Sequence, residues 1–331
     1  MDLIPFEERW AEKWDKFVMS DSVNGTFLQT RNFLNYHPLG RFADKSLLFV
    51  KGNNIVAVLP ANICEEDNGK ILYSHQGSTF GGLVLGKAFK KISNLEPIMQ
   101  LLDDYLLSNR IAEIELKMTS LLYSPEETAL LDYFLQLYNY SVTYEMGYYI
   151  DFGSYADDIE SNFTASIRRD YRSSLKTEFT FRELQTNAEI GEFYDVLCEN
   201  YQKFGKLPVH TLDELLYFKN MCLKDVVRFY GVFQDDIMAA GSMVFCFAKK
   251  VFHTQYLACR HDMLQLFANN FLYRNLIVVA KELGFSKISF GTSTLYQGKV
   301  LNKSLAQFKE GFGTKEYINS TFKKILRNGG C

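Results

Sequence analysis

A chain of 331 residues, 47% hydrophobic and 23% charged, holds enough apolar surface for two cores of ordinary size, and its 28 Phe and 20 Tyr exclude a disordered polymer. A formal net charge of -3 provides no overall basic field, so only a local patch can attract nucleic acid. Six scattered cysteines without a CxxC pair read as reduced thiols, and no window of 18 apolar residues occurs, which predicts a cytoplasmic protein without a membrane span.

The N-terminal stretch MDLIPFEERWAEKWDKF is amphipathic and of mixed charge, which reads as neither a signal peptide nor a span; peripheral work at a membrane stays open. Hydrophobic periodicity predicts helices near 6–18 and 27–37, strands at 46–51, 54–61 and 70–74, and then a glycine-rich loop. Helix 95–108, strand 111–118, helix 125–138 and a long aromatic strand at 141–152 follow. The polar run GSYADDIESNF begins after Phe152, so the chain is divided into 1–152 and 153–331.

The second half predicts helix 155–176, strand 178–183, helices 187–203 and 211–222, and strands 226–233, 237–248 and 250–259. Helix 264–283 places Ala268, Leu272, Leu276, Val279 and Leu283 on one face as a core stripe. Strand 286–291, a loop at 292–300 and a segment at 302–327 close the chain.

The two halves share a layout. LLFVKGNNIVAVLPA at 47–61 matches RFYGVFQDDIMAAGSM at 228–243 as strand, polar turn and strand, and each copy is followed downstream by an apolar helix running into a short strand. Residues 47–118 are therefore expected to superpose on 228–291. The five histidines, 37, 75, 210, 253 and 261, show no HExxH or Cys/His ligand spacing, and no GxGxxG follows a strand, so neither a metal nor a redox nucleotide is expected.

Four stretches in order, GTFLQTRNFLNYH at 25–37, SHQGSTFGGLV at 74–84, SIRRDYRSSLK at 166–176 and FGTSTLYQGKVLNKSLAQFKEGFGTK at 290–315, resemble the FemAB-like branch of the GNAT-related acyltransferases over nearly the whole chain. The resemblance implies an α/β fold of two GNAT-like mixed α/β domains packed in tandem, with 1–152 on the acceptor side and 153–331 on the acyl-donor side. It implies an N-acyltransferase moving an acyl group from acyl-CoA, acetyl-CoA foremost, to an amine in the interdomain cleft. The acyl-CoA is a cosubstrate, with no tightly bound cofactor. Implied acceptors are an amine-bearing small molecule or a cell-envelope precursor. Two alternatives stay open: transfer from aminoacyl-tRNA to a cell-wall or lipid-linked amine, and a silent ligand-binding domain of the same fold. The family's phosphate loop, a Gln or Arg followed by spaced glycines, is missing, and the coiled-coil arm of the tRNA-dependent members has no room.

On this resemblance the strand FHTQYLAC at 252–259 splays from its neighbour to receive the donor's amide arm, and Arg260, His261 and Asn269 in RHDMLQLFANN stand where the next helix N-terminus receives phosphate. The other reading makes Asp262 a cap and Arg260 a solvated cation. Tyr256 reads either as general acid to a leaving thiolate or as a core ring. Lys309, in QFKEGFGTK, matches the family's late lysine near the donor's phosphate or reacting carbonyl; otherwise it is an exposed charge on a turn. Thr292 and Ser293 leave the end of a strand, where open α/β sheets bind ligands. Arg168, Arg172 and Lys176 share a helix face that either binds phosphates or is solvated, and no aromatic platform accompanies them. In the first half, His75 beside the glycines of SHQGSTFGG reads as a proton acceptor or as a packed turn residue, and Gln29 and Arg31 as lining of the same cleft.

Overall fold

The computed structural model describes residues 1–38, 40–67, 69–126, 128–203, 205–248 and 250–326. The chain is a mixed α/β protein whose contacts separate it into two compact units, Met1–Glu145 with Ile318 onward, and Met146–Tyr317. The division falls at Glu145 rather than after Phe152, and the C-terminal stretch belongs to the first unit. Only a long-range strand pairing decides this. The ends of the 153–331 division and of the 302–327 segment lie outside the described residues.

The first unit contains β1 (Asp2–Pro5), α1 (Ala11–Lys16), α2 (Arg31–Leu34), β2 (Ala43–Asp44), β3 (Leu47–Lys51), β4 (Asn54–Leu59), β5 (Asn62–Glu66) and β6 (Gly69–Ser74). It continues with β7 (Val84–Leu85), α3 (Ile92–Ser108), β8 (Ile111–Lys117), α4 (Ala129–Leu137) and the start of β9 (Ser141–Asp151). The second contains α5 (Ala165–Ser174), β10 (Thr180–Glu183), α6 (Asn187–Gln202), α7 (Leu212–Tyr217), β11 (Val227–Gln234), β12 (Ile237–Phe247) and β13 (Val251–Cys259). It closes with α8 (Ala268–Glu282), β14 (Lys287–Thr292), β15 (Thr294–Leu295), β16 (Val300–Leu301), α9 (Lys303–Glu310) and the start of β17 (Lys315–Ile325).

In the first unit β1-β3-β4-β7 form one antiparallel sheet, and β2, β5, β6, β8 and β17 follow one another in a second. β6 and β8 are parallel, joined through α3, whose Leu95, Ile98, Met99, Leu102 and Leu106 recur at helical spacing and enter the core. In the second unit the order is β10-β11-β12-β13-β14-β9, with β13 and β14 parallel and joined through α8. The order of pairings therefore recurs between the units, with one difference. β12 runs unbroken for 11 residues, whereas β4 and β5 are separated by Pro60 and Ala61 and enter different sheets. Proline brings no N–H to a ladder, so the strand breaks there.

Three local features depart from the pattern reading. β5, in the acid-rich run NICEE, has weak strand propensity but pairs with β6 through five residues. The helix expected at 264–283 is split by Phe267, left-handed at φ 60°, into a 3-10 segment His261–Leu266 and α8. The loop at 292–300 is a small hairpin, β15 against β16.

Candidate active site

β13 and β14 pair only from Val251↔Lys287 to His253↔Ser289. Beyond this the two strands part, and both deviations have a backbone cause. Between Met243↔Tyr256 and Val244↔Thr254, β13 carries an extra residue, a bulge that bends the strand. Gly291 takes φ 68°, a left-handed conformation that turns β14 out of register with β9.

Lys309 lies in the last turn of α9, where a cation suits the helix dipole, and it is 3% exposed. Its Nζ donates to the carbonyls of Gly291 at 3.1 Å and Thr292 at 2.7 Å, and among the described residues no carboxylate pairs with it. Burial pulls its pKa down to about 7. The neighbouring aromatics hold it in place. Phe308 and Phe312 both rest on Tyr273 of α8 at 5.1 Å, and Tyr273 meets Phe290 of β14 at 4.7 Å. The lysine is thus no surface cation on a turn; three aromatic contacts fix the helix that aims it at the end of β14. Beside it, the Ser293 and Thr294 hydroxyls are buried without a protein partner.

Below the point of parting, His253 Nδ1 lies 3.2 Å from Ser289 Oγ, which is 3.2 Å from the Tyr317 hydroxyl. Burial pushes His253 down to about 4, and the Lys309 charge adds to that, so the imidazole is neutral at physiological pH. Tyr256 is buried with its hydroxyl 2.6 Å from His210 Nδ1 and its ring against Tyr201. Burial raises its phenol well above the ordinary range, so it holds its proton as a donor must. His210, Ser289 and Tyr317 were not singled out in the sequence. Nothing local marks them, because each meets its partner only through tertiary packing.

At the far end of β13 the arrangement differs from expectation. The backbone N–H of His261, expected to face phosphate, donates instead to the Glu199 carboxylate of α6 at 2.7 Å. Arg260 pairs with Asp262 at 3.4 Å, and the N–H of Asn269 faces the Cys259 thiol. Lys309 stands at the C-terminal end of β14 and Arg260 follows the C-terminal end of β13. In α5, Arg168 spends its guanidinium on the carbonyls of Glu160, Ser161 and Phe163, which ties down its own helix start, while Arg172, and Lys176 just past the helix end, are exposed.

The first-unit candidates are largely structural. Gln29 is 0% exposed: its Oε1 accepts from the Thr26 N–H and hydroxyl, and its Nε2 donates to Gly81 O at 3.0 Å and Thr119 Oγ1 at 2.7 Å. With every valence used it lines no cleft. Arg31 pairs with Asp44, bonds Ser46 and Asn35, and lies over the Phe6 ring at 4.0 Å. Of the glycines after His75, Gly81 and Gly82 lie against the chain's own strand ends and Gly77 against His37 and Phe42. Gly81 N donates to Lys117 O, and a Cβ there would stand 1.6 Å from Ser74 O. His75 accepts from the Gly77 N–H at 3.2 Å, stacks on His37 and meets Phe42 edge-on. Burial holds it down at about 4. Where the second unit leaves its parallel strands apart, the first closes the matching end with Gly81, Gly82 and Gln29.

No protein-family model and no curated protein sequence matches the chain. Solved structures do. A FemX crystal structure is similar at TM-score 0.68, with 12% identity and 98% of both chains covered. L-PGS from Bacillus licheniformis is similar at 0.60, with 10% identity over 96% of this chain and 91% of that one. A tandem GNAT protein from the clavulanic acid biosynthesis pathway follows at 0.56, with 9% identity over 98% of each. Identities this low carry the fold alone, a mixed α/β architecture similar to FemX and GNAT-superfamily structures.

Proposed function

We propose that the protein is an N-acyltransferase of two GNAT-like domains in tandem, which moves an acyl group from acyl-CoA to an amine at the parting of β13 and β14. The observation that carries this reading is Lys309, a desolvated amine fixed on the Gly291 and Thr292 carbonyls at the end of the splayed strand. Two of its protons are committed in the charged form, and the third is free for the carbonyl oxygen of a donor. The acceptor nitrogen attacks the thioester carbon, negative charge gathers on that oxygen, and the ammonium stabilises it in a water-poor site. Collapse breaks the C–S bond. The thiolate takes a proton from a donor such as the Tyr256 hydroxyl, and the amine's surplus proton passes to solvent. The unpaired edges of β13 and β14 beyond His253 and Ser289 suit an extended amide arm.

A second reading, with aminoacyl-tRNA as donor, draws support from Glu199, whose carboxylate occupies the His261 N–H where a pyrophosphate would sit. The transfer chemistry is the same with an ester in place of the thioester. Native mass spectrometry and titration with acetyl-CoA, longer acyl-CoAs and charged tRNA, for the natural protein and Lys309→Met, test both. Acyl-CoA binding lost or weakened in Lys309→Met supports the first reading, and binding of charged tRNA alone supports the second. No binding of either donor leaves a silent ligand-binding domain.

A further inference from the structure

The β15–β16 hairpin starts beside the transfer site, at Thr294, and carries a run of exposed apolar side chains. Thr294 pairs with Leu301 and Leu295 with Val300, and Tyr296, Gln297 and Gly298 make the tip at φ 52°, 55° and 87°. Strands of two residues bury nothing of their own. Leu295 is 47% exposed, Tyr296 74%, Val300 46% and Leu301 41%, and Leu305 on the first turn of α9 adds 36%. Lys299 and Lys303 are exposed beside them, and no Asp or Glu occurs from Thr292 to Lys309. The stem is held: Ser293 N donates to Met146 O and Asn302 N to Ser293 O, both at 2.8 Å, while the Asn302 side chain caps α9 through Leu305 N.

We propose that this hairpin docks the protein on an anionic membrane surface. An exposed tip of tyrosine and aliphatic side chains flanked by lysines, with no acid between Thr292 and Lys309, matches the boundary between acyl chains and headgroups: the apolar groups enter, the tyrosine hydroxyl stays at headgroup level, and the lysine stems reach back to the phosphates. Charge complementarity therefore selects anionic lipid. A second copy of the chain is the poorer occupant, because five half-exposed side chains on a narrow hairpin fall short of the roughly 800 Å² per partner that a stable protein interface buries. No described helix is long and apolar enough to cross a membrane, so contact through this element is peripheral. The inference goes beyond acyl transfer and is tested without activity, so the two stand or fall separately.

Sedimentation with vesicles of phosphatidylcholine alone, and of phosphatidylcholine mixed with phosphatidylglycerol, at low and high salt, tests the proposal. The natural protein is expected to bind the mixed vesicles, with binding reduced by salt. Lys299→Gln with Lys303→Gln is expected to weaken it about 25-fold, at roughly five-fold per lysine near an anionic surface. Leu295→Ser with Tyr296→Asn is expected to weaken it about tenfold or more, since apolar burial supplies the rest. Asn suits the left-handed tip, and unchanged unfolding midpoints confirm that the variants fold. Absence of binding to the mixed vesicles, or binding that neither double variant alters, overturns the proposal. So does a concentration-dependent dimer in light scattering that Tyr296→Asn abolishes, which assigns the hairpin to a second copy.

Discussion

The Lys309 ammonium lies 2.7 Å from the Thr292 carbonyl oxygen, and this one contact joins the last turn of α9 to the end of β14. It places a nearly buried cation on two carbonyl dipoles, and among the described residues no carboxylate pairs with it. Such a group is costly to bury, and the proposed transfer chemistry rests on it.

Lys309→Met therefore separates activity from stability. Removing a donor aimed at a developing oxyanion is expected to lower kcat by about 100- to 1,000-fold. Stability moves the other way. The lysine titrates near 10.5 when unfolded and near 7 when folded, so between these values the unfolded chain holds a proton that the folded chain has released, and natural-protein stability rises with pH at up to about 1.4 kcal/mol per unit. Urea unfolding from pH 6 to pH 10 is expected to show Lys309→Met more stable at the acid end, with the advantage shrinking upward. A variant less stable at every pH contradicts the assignment.

Acid sensitivity is expected from the two buried histidines. His75 and His253 are both held near 4 when folded against 6.5 unfolded, so each contributes stability that is fully present above pH 6.5 and is lost as pH falls towards 4. Thermal unfolding across that window is expected to steepen in the natural protein and to flatten in His253→Gln and His75→Gln, one histidine's share at a time.

Glycine positions offer a contrast within one chain. At Gly81 an added methyl would meet Ser74 O at 1.6 Å, and Gly81→Ala is expected to cost about 3 kcal/mol. Gly191 lies inside α6 with nothing within 4 Å of the added atom, and Gly191→Ala is expected to stabilise by about 0.5–1 kcal/mol. Equal effects at the two sites would remove the packing explanation of the glycine-rich loop.

Gln29 tests whether the first-unit residues bind or build. Gln29→Ala leaves the Thr26 N–H, Gly81 O and Thr119 Oγ1 without their buried partner and is expected to lose about 2–4 kcal/mol of stability. Affinity for the acyl donor, measured well below the unfolding midpoint, is expected to stay unchanged.

Much of the local order was legible in the residues themselves. The turn at Asp235, the buried stripe through Ala268, Leu272 and Leu276, and the recurrence of strand, turn, strand, helix and strand all follow from short-range periodicity and turn chemistry. The Lys309 motif and the splayed 252–259 strand were legible through resemblance. What the sequence alone did not determine depends on distant partners: β17 joining β8 from about 200 residues away, Glu199 taking the His261 N–H, His210 meeting Tyr256, and the four aromatic rings packed beside Lys309. A lysine is solvated or buried according to what packs around it. That is settled only when elements far apart in the chain close on the same volume and remove its water.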